Sequence, residues 1–286
     1  MNSHSSTQQF NTCPYAYKLH KLDGLARTAY GVESNDRQWG IAMHAGVKAY
    51  HAGCTPEVVL DQFTVLYPDD LNPEDKVWCR EGGIRTLQAY MSHYDSVMDQ
   101  WEVLATELDN RVEAESEVGE GHVVIDMVAK HRASGSIYFW DHKFEHKLNY
   151  GAQKQYELDA QLTRYTSYVQ TKYGECAGAI INFICPGFRQ RAYKGEPAGW
   201  HFRFELQIYN RSAEQVGQWR RVQEGWEWMI ERCIESGVWP RHYGWQCPRC
   251  DFYDVCFAER EGADSTQVRE AMYGGVQEDM NIEVEL

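Results

Sequence analysis

Two short apolar runs joined by a turn constrain this chain more than anything else in it. They are Val123-Val124-Ile125-Asp126-Met127-Val128 and Ser136-Ile137-Tyr138-Phe139-Trp140-Asp141-His142-Lys143, with Ala133-Ser134-Gly135 between them. Runs of this length and composition predict strands buried in a mixed sheet. Asp126 interrupts the first run, and Asp141 and Lys143 end the second. A buried carboxylate without a partner is costly, and a divalent metal bridging Asp126 and Asp141 would be such a partner. Mg²⁺ is typically held by one or two carboxylates, with water and phosphate oxygens completing its shell. Because alternate strand residues share a side, Asp141 and Lys143 point to one place. Two carboxylates and a lysine on a hairpin suit metal-assisted phosphodiester hydrolysis. The plainer alternative makes them turn carboxylates and a solvated edge lysine.

The rest of the chain offers enough apolar material to bury such a hairpin. It has 286 residues, 43% hydrophobic and 13% aromatic, which is globular and fits one large domain or two small ones. No apolar run reaches the length of a membrane span. Residues 1–9 are polar and lack a signal core, so a cytoplasmic location is expected, with no membrane partner. The net charge is −14, from 28 basic and 42 acidic residues. That excludes a broad phosphate-tracking surface, though not an enzyme that gathers carboxylates round a metal. Much of the excess lies in Glu113–Glu120 and after Glu261.

In chain order, the stretch from Ser5 to about Leu22 opens with polar residues and then reads as a short helix carrying Cys13-Pro14-Tyr15, followed by a loop over 24–36 and a helix over 37–52 with small residues on one side and His44 within it. Thr55-Pro56-Glu57 starts a helix that Pro68 ends. A longer helix follows Asn72-Pro73-Glu74 to about Asp99, and a strand with Glu107 in it spans Trp101–Asn110. After the hairpin, a helix over Ala152–Thr171 carries Gln161 and Tyr165, four apart and so on one face. Strands Ala179–Cys185 and Trp200–Tyr209 and a long helix Ser212–Ser236 complete the pattern. Helices, strands, helix, strands and helix in this order predict one α/β domain over 1–262 with a central mixed sheet, then a poorly ordered acidic tail over 263–286.

Nine cysteines in a chain with no secretory signal argue against a disulfide framework. Five of them, Cys54, Cys79, Cys176, Cys185 and Cys233, sit singly and read as small hydrophobes. Cys247, Cys250 and Cys256 form C-x2-C-x5-C, and Cys13, followed by proline like Cys247, is the candidate fourth member. Three readings compete. A [4Fe–4S] cluster suits a tight trio with one remote ligand; structural Zn²⁺ more often takes two close pairs; or the thiols hold no metal. Either metal would tie the chain ends together.

Taken in order, these residues resemble the RecB-like branch of the PD-(D/E)xK nuclease superfamily, and most of all its iron–sulfur members, such as CRISPR-associated RecB-like exonucleases and the AddB nuclease domain. Cys13 matches the N-terminal cluster ligand, His44 the helical metal-binding histidine four after a glycine, Asp126 the G-x-x-D aspartate, Asp141-His142-Lys143 the D-x-K, Gln161 and Tyr165 the Q-x3-Y helix, and Cys247, Cys250 and Cys256 the C-terminal cysteines. Val123 stands where the family often has glycine, and Glu107 is the candidate for a further acidic position.

The resemblance implies a restriction-endonuclease-like core whose two chain ends are joined by a [4Fe–4S] cluster. It implies a DNA exonuclease acting on single-stranded ends, with Mg²⁺ or Mn²⁺ held by His44, Asp126, Asp141 and the backbone carbonyl of His142, and with Lys143 catalytic. Gln161 and Tyr165 would contact DNA or brace the site. Partners in recombination or CRISPR adaptation would follow, and phage DNA processing fits equally. No G-x4-G-K-[ST] motor motif is present. The rival reading is a catalytically silent, nuclease-like fold that binds DNA or a protein partner and keeps a structural metal site.

Overall fold

The computed structural model describes residues 4–27, 35–68, 75–109, 123–148, 154–192, 194–195 and 197–274. The chain divides into two compact units, Glu33–Arg220, and Asn2–Val32 together with Arg221–Leu286.

The first unit is built on a five-stranded sheet. Its helices are α3 (Asn35–His51), α4 (Pro56–Leu66), α5 (Arg80–Met98) and α6 (Ala160–Tyr173); its strands are β2 (Trp101–Asp109), β3 (Val124–His131), β4 (Ile137–Phe144), β5 (Gly178–Arg189) and β6 (Gly199–Asn210). The strands lie in chain order, β2-β3-β4-β5-β6. Only β4 and β5 run parallel, and α6 lies between them in the chain, as a parallel connection requires. The hairpin turn falls where expected, with Gly135 at a φ of 76° that suits glycine.

Two apolar layers sandwich the sheet. On one face Met127, Ala129, Trp140, Ile180 and Ile184 pack with Trp39, Met43, Phe63, Leu87 and Tyr90 of α3, α4 and α5. On the other, Ile125, Val128, Phe139, Ala179 and Ile181 pack with Leu162, Tyr168 and Val169 of α6. Small residues let the helices approach. A Cβ on Gly46 of α3 would lie 2.8 Å from Leu87, and one on Gly83 of α5 only 2.1 Å from the Phe63 ring.

Side chains that capture backbone N–H groups set several boundaries that periodicity misses. The helix expected from residue 72 begins at Arg80, because Asp75 Oδ1 accepts from the N–H groups of Val77 and Trp78 at 2.8 and 3.0 Å. The expected start at 72–74 lies outside the described residues. The helix expected over 152–171 is a 3₁₀ turn, Lys154–Glu157, and then α6. Asp159 caps α6, accepting from Leu162 N–H at 3.1 Å, and Gly174 ends it at φ 81°.

The second unit carries α1 (His4–Thr12), α2 (Pro14–Tyr17), a π-helical turn Lys18–Leu22, strand β1 (Ala26–Arg27), helices α8 (Tyr253–Arg260) and α9 (Thr266–Met272), and strand β7 (Tyr273–Gly274). The polar opening before Cys13 is itself helical, and the chain breaks at Cys13-Pro14 before α2, since proline cannot donate into a helix that precedes it. Helix α7 (Ala213–Ser236) has residues in both units, divided after Arg220. Ser212 and Gln215 cap its start reciprocally: Gln215 N–H donates to Ser212 Oγ at 3.2 Å and Ser212 N–H to Gln215 Oε1 at 2.8 Å. Regular structure extends past residue 262, where a tail was expected. Strand β7 pairs antiparallel with β1, Ala26 facing Gly274, so strand pairing brings the two ends of the chain together. Residues 275–286 and the acidic stretch 113–120 lie outside the described residues. Among the described residues no helix is long and apolar enough to cross a membrane.

Candidate active site

The sheet forks at Asp126. The β3–β4 ladder runs from Lys130 opposite Ile137 to Met127 opposite Trp140 and stops. On either side, β2 stays paired to β3 as far as Val124, and β4 to β5 as far as Phe144. The next β3–β4 pair would be Asp126 with Asp141. Instead the Asp126 carboxylate takes the role of a backbone acceptor: the N–H of His142 donates to Asp126 Oδ2 at 2.8 Å. Past the fork, β3 turns its apolar side chains over. Met127 and Ala129 face the α3–α5 layer, whereas Val123 and Ile125 face the α6 layer.

His44 of α3, Asp126, Asp141 and Lys143 meet at this fork. His44 Nδ1 lies 3.3 Å from Asp126 Oδ1, and Lys143 Nζ 2.7 Å from Asp141 Oδ2. Burial alone would neutralise His44, but the Asp126 carboxylate outweighs it and raises the imidazole above its ordinary value. Asp126 is held well below the carboxylate range: burial opposes the shift, and His44 and the His142 N–H overcome it. Asp141 moves the other way. Burial raises it, the Asp126 charge adds to that, and Lys143 offsets only part. Lys143 is raised because Asp141 outweighs its burial. Two carboxylates pushed apart by their shared environment form the kind of donor pair that a dication relieves, so the residues fit a divalent metal. Among the described residues, no three His, Cys, Asp or Glu side chains already stand in metal-binding geometry.

Gln161 and Tyr165 face each other on α6, Gln161 Nε2 donating to Tyr165 Oη at 2.9 Å. Burial raises the Tyr165 hydroxyl, and the Asp141 charge adds to this, so α6 brings the phenol within the field of the carboxylates. Glu107 lies on β2 between the pairs Thr106–Met127 and Leu108–Ile125, and thus opposite Asp126. It is ion-paired to Lys48 of α3, and its φ is 49°, strained for a residue with a side chain. The His142 side chain points away from Asp141 and Lys143, into the α3–α5 layer, as strand alternation demands. Only its backbone belongs to the fork. Lys48 and His51 were not singled out from the sequence, although His44, Lys48 and His51 follow one another at i, i+4 and i+7 on one face of α3.

The profile of the PD-(D/E)XK nuclease superfamily matches residues 2–257. This chain belongs to that superfamily. Among solved structures, one described as a "Putative exonuclease" from Eubacterium rectale is similar to it, with 15% identity over 86% of each chain and a TM-score of 0.43. No curated protein sequence matches the chain.

The superfamily chain carries a second group of candidate ligands, all within its second unit. Cys13, Cys247, Cys250 and Cys256 line one cavity, and none is in a disulfide. Burial raises the Cys250 and Cys256 thiols, and their neighbours Cys13 and Cys247 raise them further. Phe252 N–H opposes this at Cys250, and the Arg241 charge at Cys256. Gly244 N–H donates to Cys247 Sγ at 3.3 Å. Four free thiols lining one cavity, with N–H donors at Cys247 and Cys250, are the donor type that an iron–sulfur or zinc centre uses, although among the described residues no three of them already stand in metal-binding geometry.

Proposed function

We propose that this chain is a metal-dependent DNA exonuclease that attacks single-stranded ends and carries a structural [4Fe–4S] cluster. What supports the nuclease reading, beyond the superfamily, is one observation: His44, Asp126, Asp141 and Lys143, from three separate elements, converge where the sheet forks.

His44, Asp126, Asp141 and the backbone carbonyl of His142 would hold Mg²⁺ or Mn²⁺. Bound there, the metal would supply Lewis acidity to the scissile phosphate and to the attacking water. The chain's own groups do the rest. Asp126 stays ionised across the neutral range and is fixed through both oxygens, by His44 and by the His142 N–H. Lys143 stays charged, so its ammonium can leave Asp141 for a phosphate oxygen and stabilise charge building on phosphorus. Tyr165 and Gln161, bonded to each other, would contact the strand being cut or brace the site. The cysteine cavity supports the cluster reading through its four free thiols.

The test uses anaerobically purified protein on end-labelled single- and double-stranded DNA with Mg²⁺, Mn²⁺ or chelator, beside Asp141→Asn. Metal-dependent loss of label that the variant abolishes is the expected result. Equal degradation by the variant overturns the assignment. No degradation by folded wild-type protein favours the silent DNA- or partner-binding reading.

A further inference from the structure

Beside the fork, in the α3–α5 layer and away from the Asp141 and Lys143 side chains, lies a buried polar cluster that the cleavage chemistry does not use. The His142 ring is 2% exposed. Its Nδ1 meets Asn182 Nδ2 at 3.0 Å, and Asn182 is its register partner on β5. Its Nε2 has no hydrogen-bond partner among the described residues. The ring is held there by a stack instead. His51 lies parallel to it, with centroids 5.5 Å apart and planes within 5°. His51 is fixed in turn, its Nε2 2.8 Å from Tyr90 Oη. The Tyr90 hydroxyl also accepts from Asn182 Nδ2 at 3.3 Å, and Tyr94 Oη donates to Asn182 Oδ1. The contacts form a closed circuit: His51, Tyr90, Asn182, His142.

The circuit matters because of what its two ends carry. His142 bears the N–H that holds Asp126 Oδ2, and α3, which bears His51, also bears His44, which holds Asp126 Oδ1. His44 and His51 are seven residues apart and share a face of α3. Helix α3 is therefore registered against the hairpin at two points, with Asp126 between them.

We propose that His51, with Tyr90 and Asn182, is a positioning residue: by clamping the His142 ring from behind, it aims the His142 N–H at Asp126 and holds that carboxylate in metal-binding orientation. The inference rests on the active-site reading above. Groups that orient metal ligands typically change metal affinity about 10–100-fold when removed.

The experiment measures Mn²⁺ binding without DNA, by calorimetry, together with amide exchange at His142. The proteins are wild type, Asp126→Asn, His51→Ala, His51→Phe and a control, Val59→Ala, which truncates a core residue of α4 outside the circuit. His51→Ala should bind Mn²⁺ about tenfold more weakly and exchange the His142 amide faster, while kcat at saturating Mn²⁺ stays near wild type. His51→Phe, which keeps the stack, should recover most of the affinity. Wild-type affinity and exchange in His51→Ala, or an equal loss in Val59→Ala, overturns the proposal. Should His51→Ala not fold, Tyr90→Phe removes the hydroxyl that holds His51 and carries the same test. If the wild type binds no Mn²⁺, or Asp126→Asn binds it as well as wild type, the active-site reading fails and this inference fails with it. Asp126-dependent binding that His51 does not influence defeats this inference alone.

Discussion

The backbone N–H of His142 donates to Asp126 Oδ2 at 2.8 Å, at the point where the strands bearing the two residues stop pairing. A side chain replaces a rung of the ladder, so the carboxylate is fixed by the fold itself.

That arrangement separates the roles of the two aspartates. Asp126→Asn keeps an acceptor for the His142 N–H, and Asp141→Asn leaves the ladder intact, so both variants should fold with wild-type circular dichroism. Both should lose cleavage by about a thousandfold or more, since several kcal/mol of charge stabilisation go with the metal. Mn²⁺ binding followed by calorimetry should fall in parallel with cleavage.

Lys143→Ala should behave differently from the aspartate variants. Removing the ammonium frees Asp141 from its 2.7 Å ion pair, so metal binding should persist or tighten. Cleavage should still drop about 10²–10³-fold, the scale found when one transition-state donor is removed. Single-turnover rates across a range of Mn²⁺ concentrations separate the two effects. A deficit that excess metal repairs would count against the role given to Lys143.

In the second unit, anaerobic protein should be brown, with acid-labile sulfide. Cys250→Ser should lose the colour and become more sensitive to proteolysis within Asn2–Val32 and Arg221–Leu286. Asp141→Asn should stay brown. A colourless wild type containing zinc would replace iron with zinc in the same cavity.

Acid should loosen that unit as well. Arg269 joins Asp23 and Glu259, each at 2.9 Å. Burial opposes ionisation at both carboxylates, but Lys18 and Arg269 hold Asp23 below its ordinary value, and Tyr15 and Arg269 do the same for Glu259. Groups depressed in the folded state contribute stability that is full above their unfolded pKa and is lost as pH falls through the folded one. Resistance to proteolysis at the chain ends should therefore be flat above about pH 5 and decline below about pH 4, the ordinary carboxylate range. Glu259→Gln should flatten the decline. An unchanged profile would remove the ion cluster from the account.

Packing gives a last expectation. A Cβ on Gly83 would stand 2.1 Å from the Phe63 ring. Gly83→Ala should cost about 1–3 kcal/mol as overpacking, read from chemical denaturation, without touching the fork.

Much of this was legible in the sequence because it depends on neighbours along the chain. The turn at Gly135, the apolar runs of β3, β4 and β5, and the shared side of Asp141 and Lys143 follow from a period of two and from the freedom of glycine. The cysteine spacing and the order of Cys13, His44, Asp126, Asp141, Lys143, Gln161 and Tyr165 are linear facts, and they carried the family resemblance. Helix starts were less legible. A single side-chain acceptor, Asp75 or Asp159, moves a boundary without changing hydrophobic periodicity.

What the sequence by itself determined is the chemical inventory and the strands that bear it. Where β3 and β4 part, that His142 shows its backbone to the site and its ring to His51, and that α3 meets the hairpin on both sides of Asp126 were decided only by the tertiary structure. Several of those relations join residues 40 to 91 positions apart, such as His142 with Asn182 and His51 with His142. Contacts at that separation depend on how the layers pack, which no local pattern encodes.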